Sequence, residues 1–536
     1  MTPQRPSRET LIVGGLAACA SILAFLHYYH RGQVLLYGDA EAHIGIARRV
    51  FDSRTPGLLQ LGTVWLPLPH LLMIPFVWLN WAWQTGIGGS VPSMAAYVFA
   101  TVGVFRLVRN WVAQTQASSF VASFSAAFAA LLFGANSNIL YLQSTAMTEP
   151  LYLALFIWSV VYLSEFLKAS DAQQARPSIL RAGICLAAAT LTRYDGWLLA
   201  CVAGGMVLLS FVREKDPGSR KLLRGPVSRF LLLVAAGPVL WLVYNAVVYK
   251  NPLEFANGAY SAKSIERRIV QPPHPGTGQP FTAGLYFAHA VELNLAPTPA
   301  AAKLWLLLAG LGTLFSLRPG KRAWPLWLLW LPLPFYALSM AYGGVPIFVP
   351  DWWPFGQYNL RYGLQLLLAV AVFSGIAIAW LMKLRHGVVA ATLCLSAVIF
   401  LGWCEVGLWR APVSLVEAVR NMEARGLMEE ALVRELTALP PGATILMSLR
   451  DNSGVPPRAG IALRQFIFEA DQRSWVRPSD PEGLWVRALA NPACCADYAV
   501  GFAGDAVAET AERYRLVVVT SIQVHGQPEA TIYRVH

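Results

Sequence analysis

Five short stretches place ionisable side chains where an otherwise apolar chain would be expected to exclude them. "GDAEAH" (38–43) follows an apolar run and carries Asp39, Glu41 and His43 at alternate positions. "STAMTEPLYL" (144–153) sets Glu149 at the mouth of another run. "LTRYDGWLL" (191–199) brings Arg193 and Asp195 either side of Tyr194, and "NLRYGLQLL" (359–367) opens a long run with Arg361 and Tyr362. The fifth, "AKSIERR" (262–268), holds Lys263, Arg267 and Arg268 in a long polar loop. A carboxylate that reaches water can take a proton from an incoming hydroxyl. Arginine presents a fork of donors matched to phosphate oxygens and can stabilise charge on a departing phosphate.

Each stretch also has a plainer account. Asp39 could cap a helix and Glu41 could complement its dipole. His43, one turn from Asp39, could share its cavity or be a polar interface residue. Thr148 and Pro150 suit a helix start, with Glu149 beside them. Arg193 and Asp195 could form a local ion pair, and Arg361 could snorkel to headgroups. A basic outer loop hints at an anionic ligand, although long loops escape the usual charge bias. Taken together, acids and arginines gathered on one membrane face suit a reaction with a lipid phosphate at the interface.

The elements that must position them are membrane helices. The chain has 536 residues, 56% hydrophobic and only 13% charged, about half the charge of a soluble domain. Apolar runs of about 20 residues recur, the length needed to cross a bilayer as helix. Twelve candidate spans are read at about 9–28, 64–83, 91–108, 118–134, 149–167, 179–194, 197–212, 229–248, 300–317, 323–342, 361–382 and 387–409. The net charge of +12 resides largely in short loops such as 168–181, 213–229, 318–322 and 383–386, the signature of cytoplasmic loops. Phospholipid and insertion account for it without nucleic acid. An inside start and an outside end need an odd number of crossings, so 11 or 13 are expected. The ambiguity lies in "WLPLPHLLMIPF", either bent or re-entrant, or in a hairpin over 90–116. The segment after Gly38 reads as an amphipathic helix lying in the interface, apolar side down.

The expected fold is therefore a polytopic α-helical membrane protein with a small C-terminal α/β domain outside the cytoplasm. Residues 1–410 form the membrane module, with outer loops 29–63 and 249–299, and 411–536 the soluble domain. Within the latter, 413–439 reads as amphipathic helix and 442–449, 496–502, 515–521 and 530–536 as strands. The seven cysteines show no metal-ligand spacing. Cys494 and Cys495 are adjacent and read as thiols, with a strained disulfide as the alternative.

The order of the motifs resembles the C-type glycosyltransferases, the multispanning superfamily of protein O-mannosyltransferases and aminoarabinose transferases. The resemblance rests on "GDAEAH" followed by "IARRVFDS", "TVWLPLPHLL", "STAMTEPLYL", "LTRYDGWLL" and "NLRYGLQLL", and covers roughly 9–410. It implies inverting transfer of a sugar from a polyprenyl-phosphate donor to an acceptor glycan, lipid or protein at the outer face, expected of a bacterial inner membrane. Asp39 would be the catalytic base and Glu149 the second acid. Arg361, with Arg193 and Tyr362, would meet the donor phosphate, and Lys263 and Arg267 a substrate. Many relatives have adjacent Asp and Glu where Ala40 here separates Asp39 from Glu41. Some bind a divalent metal and others need no cofactor, so Glu41 and His43 remain candidate substrate or metal ligands. The competing class is a multispanning transporter or lipid flippase, which often shows two similar halves and interrupted mid-membrane helices; no such repeat is evident, and the notable charges sit at helix ends. A receptor or assembly scaffold is a third class.

Overall fold

Lipid cannot satisfy backbone hydrogen bonds, and the chain accordingly folds as a succession of helices. The computed structural model describes residues 7–169, 171–258, 261–269, 273–317, 323–383, 387–423, 425–471 and 483–536, with residues 172, 268 and 269 described by backbone alone. The basic stretch 318–322 and most of 383–386 lie outside the described residues.

Helix α1 (Arg8–His30) opens on Ser7, whose hydroxyl accepts the Thr10 amide proton. A turn ending at Tyr37 leads into α2 (Gly38–Arg49). The proline-rich run that followed in the sequence is broken. It gives α3 (Leu68–Val77), with Pro75 inside it, and the short α4 (Asn80–Gln84). By contrast α5 (Ile87–Ala113) is one continuous helix, so the hairpin alternative over 90–116 is excluded. Next come α6 (Ser119–Gly134), the buried turn α7 (Ser137–Leu142), α8 (Glu149–Lys168), α9 (Ala172–Thr190), α10 (Asp195–Val212) and the long α11 (Pro217–Tyr249).

The expected loop 249–299 is largely helical: α12 (Glu254–Asn257), α13 (Ala262–Ile269) and the apolar α14 (Pro280–Leu295). Sixteen residues of helix reach only about 24 Å, too short a run to register as a span by length. Helix α15 (Pro299–Ser316) leads to the broken pair α16 (Trp324–Trp327) and α17 (Pro332–Tyr342). A 3-10 segment, Leu360–Leu366, carries Arg361 and runs into α18 (Leu367–Leu381), followed by α19 (Gly387–Arg410). Among the described residues eight helices are long and apolar enough to cross a membrane, and α3 and α6 are shorter apolar ones. Leu16 and Leu23 on α1 are two-thirds exposed, as lipid-facing leucines should be in an integral membrane protein.

The segment read as one amphipathic helix, 413–439, is two: α20 (Val413–Glu423) and α21 (Gly426–Thr437). Beyond them lie α22 (Val455–Ala459), α23 (Leu484–Ala490) and α24 (Ala506–Tyr514). Five strands form a mixed sheet in the order β2-β1-β3-β5-β4, with β1 Ile445–Met447, β2 Phe466–Ile467, β3 Tyr498–Phe502, β4 Val517–Ile522 and β5 Ala530–Arg534. Strand β1 pairs in parallel with β2 and β3, whereas β5 is antiparallel to both β3 and β4. Strand β2 is only two residues long, below the length at which alternation can be read from sequence. Cys494 and Cys495 are joined in a disulfide rather than left as thiols.

Helix α2 does not lie as an interfacial helix with one face in headgroups. Ala40, Glu41, His43, Ile44, Ile46, Ala47 and Arg48 are all buried. Membrane-module helices cover one side of it and the C-terminal segment the other, so an element that looked amphipathic for a bilayer is amphipathic for two protein surfaces.

Candidate active site

Five helix termini come together because the spans alternate in direction. The C-terminal ends of α1 and α9 and the N-terminal ends of α8, α10 and α18 fall on one face. The turn 213–216, at the far end of α10, and the basic start of α11 with Arg220, Lys221, Arg224 and Arg229 fall on the other. Two close backbone approaches shape this end. A side-chain carbon on Gly196 would sit 2.5 Å from the Ala189 carbonyl oxygen, so only glycine lets α10 start against the end of α9. One on Gly363 would sit 2.5 Å from the Ala290 carbonyl oxygen, which lets the Arg361 segment press onto α14.

Arg361 is the hub. It is 4% exposed, and its guanidinium meets three carboxylates: Asp39 Oδ2 at 2.5 Å, Glu149 Oε1 at 3.4 Å, and Glu417. The Arg361 backbone N–H also donates to Glu417 Oε2 at 3.2 Å. The rings of Tyr37 and Tyr362 flank the guanidinium at 4.9 and 5.1 Å. Arg193 is the second centre. It donates to Glu149 Oε1 at 3.0 Å, to Thr148 Oγ1 at 3.1 Å and to the Tyr336 hydroxyl at 3.0 Å, and it pairs with Asp195 at 3.3 Å. Tyr336 in turn donates to Asp195 Oδ2 at 3.1 Å. Tyr362 lies between the guanidiniums, 5.0 Å from that of Arg193. Asp39, Glu149, Arg193, Arg361 and Tyr362, scattered over more than 320 positions, thus form one connected group.

The group is not uniformly accessible. Asp39 has a 40% exposed side chain, and its Oδ2 is held by Arg361. It does not cap its own helix; the cap position is Tyr37, with no side-chain bond. Glu149 is 1% exposed and sits behind Arg361, its Oε2 buried without a hydrogen-bond partner. A pocket of about 310 Å³, at the lower end of the ~300–1,000 Å³ usual for small-molecule sites, is lined by Asp39, Arg361 and Glu417 together with Tyr37, Tyr358 and Arg420. Glu149 and Arg193 do not line it. The resemblance groups Asp39, Glu149 and Arg361 in one site; the structure brings them together but puts Glu149 one layer behind the pocket.

The other candidates lie elsewhere. Both oxygens of Glu41 are taken, one by Arg425 and one by Arg458 at 2.7 Å, and the carboxylate faces the C-terminal segment. His43 Nδ1 shares a hydrogen bond with His70 Nε2 at 2.9 Å beside Trp65. Burial holds the His43 imidazole down, to about 4, and so uncharged. These two side chains do not fit a shared metal site, and among the described residues no group of three or more His, Cys, Asp or Glu is placed to hold one. Lys263 and Arg267 are exposed on α13, beside Gly344 and the loop leading to Tyr358, but neither lines the pocket.

Among the site residues that the sequence does not single out are four that bring in elements expected elsewhere. Glu417, Arg420 and Asn421 are on α20, which looked like part of a separate domain. Yet the Tyr37 hydroxyl donates to the Ser414 carbonyl at 2.7 Å, the Ser414 amide donates to Asn138 Oδ1, and the Gly38 amide donates to Asn421 Oδ1 at 2.9 Å. Tyr336, the fourth, sits among apolar residues of α17.

No family model and no curated protein matches the sequence. Solved structures do match in fold. ArnT from Cupriavidus metallidurans bound to undecaprenyl phosphate is 11% identical, covering 95% of this chain and 97% of that one, with a TM-score of 0.55. The same protein in the apo state is 12% identical over 96% and 98%, with a TM-score of 0.53. The archaeal oligosaccharyltransferase AglB from Archaeoglobus fulgidus, in complex with an inhibitory peptide and a dolichol-phosphate, aligns over 97% of this chain and 74% of that one at 13% identity and a TM-score of 0.48. From end to end, the chain therefore shares the fold of ArnT.

Proposed function

We propose that this protein is an inverting glycosyltransferase that moves a sugar from a polyprenyl-phosphate donor onto an acceptor at the outer membrane face. The observation that carries this reading is Asp39. It is an ionisable side chain open to a pocket, one oxygen fixed by a buried arginine and the other without a hydrogen bond among the described residues. The fold it shares with a protein that binds undecaprenyl phosphate supports the donor class. The outer face is supported by the stretch 213–229 at the opposite end of α10, whose six lysines and arginines mark a cytoplasmic side.

In this reading an acceptor hydroxyl gives its proton to Asp39 Oδ1 as its oxygen attacks the anomeric carbon. The bond from that carbon to the phosphate oxygen breaks, and polyprenyl phosphate leaves with the electron pair. Arg361 holds Asp39 in place and, with Arg193, offsets the charge of the carboxylates gathered behind the pocket. Glu149 bridges the two guanidiniums from behind and positions them. Tyr362 spaces them.

The test uses purified full-length protein and a labelled undecaprenyl-phosphate sugar. The expected result is release of undecaprenyl phosphate, and a loss of about 100-fold or more in Asp39→Asn, the size of a missing general base. An Asp39→Asn protein that folds and turns over at the original rate would remove the assignment.

A further inference from the structure

Both arginines behind Asp39 are already engaged. Arg361 is divided among Asp39, Glu149 and Glu417, and Arg193 among Glu149, Asp195 and Tyr336. Four carboxylates face two guanidiniums, a formal charge of −2. An approaching phosphodiester is repelled by that excess, and the repulsion grows as water is excluded. The pocket needs a further cation to accept an anion.

Arg420 supplies it. It lines the pocket one turn along α20 from Glu417, is exposed, and makes no ion pair with any described residue. Beside it, Asn421 accepts the Gly38 amide through Oδ1, which leaves its Nδ2 donors facing outward from that bond. Also in the pocket lining, Gln357 has a buried Oε1 with no hydrogen-bond donor among the described residues. A buried acceptor without a donor costs about 1–3 kcal/mol unless a ligand supplies one.

Resting on the transferase reading, we infer that Arg420 and Asn421 form the phosphate clamp of the donor site, and that Gln357 accepts a hydroxyl of the transferred sugar. Arg361 then serves Asp39 rather than the phosphate. Helix α20, outside the membrane-module motifs, carries the donor recognition.

The experiment measures binding of undecaprenyl phosphate to the full chain in nanodiscs, with undecaprenol as the uncharged control. Arg420→Gln should weaken the phosphate lipid by about tenfold, one charge-assisted contact, and leave undecaprenol unchanged. Arg420→Lys should recover part of the loss, and both variants should keep the original thermal unfolding profile. Inorganic phosphate should compete weakly, and phosphatidylglycerol not at all, if the site takes the lipid-linked phosphate. Effective competition by phosphatidylglycerol would make it a general headgroup site and overturn the inference. Unchanged affinity in Arg420→Gln would overturn the clamp and leave the transferase reading standing. No binding of undecaprenyl phosphate to the unaltered protein would overturn both.

Discussion

At the scale of residues, the site is a problem of buried charge. Glu417 and Glu149 are both almost inaccessible, and each relies on Arg361. Removing one member of a buried pair leaves the other uncompensated, at a cost of about 3–5 kcal/mol, whereas replacing both with apolar groups is often near neutral. Arg361→Met should therefore lower the thermal unfolding temperature sharply, and Arg361→Met with Glu417→Met should recover a large part of it. Equal losses in the single and double variants would show that the Arg361–Glu417 pair is not what the fold depends on. The sequence marked Arg361 because it opens a span. It could not mark Glu417, whose role depends on a partner 56 positions away.

At the scale of elements, α2 joins Asp39 to the C-terminal segment. Asp39 faces the pocket; two residues on, Glu41 faces Arg425 and Arg458, which also pair with Glu429. Burial, and then the nearby Glu41 carboxylate, pushes Glu429 up to about 7 from its ordinary 4.5. Burial likewise raises Asp471 to about 6 from 3.8, next to Thr55 of the first loop. The folded state holds both protons more tightly than the unfolded chain does. The contribution of these groups to stability is thus present at low pH and is lost as pH rises through about 4 to 7. Hydrogen exchange over 426–471 should be slower at about pH 5 than at about pH 8 after correction for intrinsic rates. Glu41→Gln, which removes the neighbouring charge, should flatten that slope. Protection that is flat or increases with pH in the unaltered protein would contradict this account.

At the scale of the whole molecule, sidedness is the decisive property. Alternating spans gather the reactive ends on one face and leave 213–216 on the other. With a single cysteine introduced at Gly504 or at Asp216 in a cysteine-free background, a membrane-impermeant maleimide should label the first in intact spheroplasts. The second should react only after lysis. Labelling of position 216 in sealed cells would reverse the orientation and, with it, the side on which the donor is used.

The amino-acid sequence alone determined that the chain is a polytopic helical membrane protein, because the bilayer imposes a length and an apolarity that can be read locally; it did not resolve the broken helices α3–α4 and α16–α17 or the helix α14 inside the expected loop. It also marked Asp39, Glu149, Arg193, Arg361 and Tyr362, since an ionisable group at the edge of an apolar run is costly enough to stand out. Only the tertiary structure decided how those groups divide their work. Asp39 meets Arg361 across 322 positions and Glu41 meets Arg425 across 384. Glu149 sinks behind the pocket, and α20 crosses from the expected soluble domain to complete it. Hydrophobic periodicity says which face of a helix is covered. It does not say by what, and the partner of a buried charge is chosen by that covering surface.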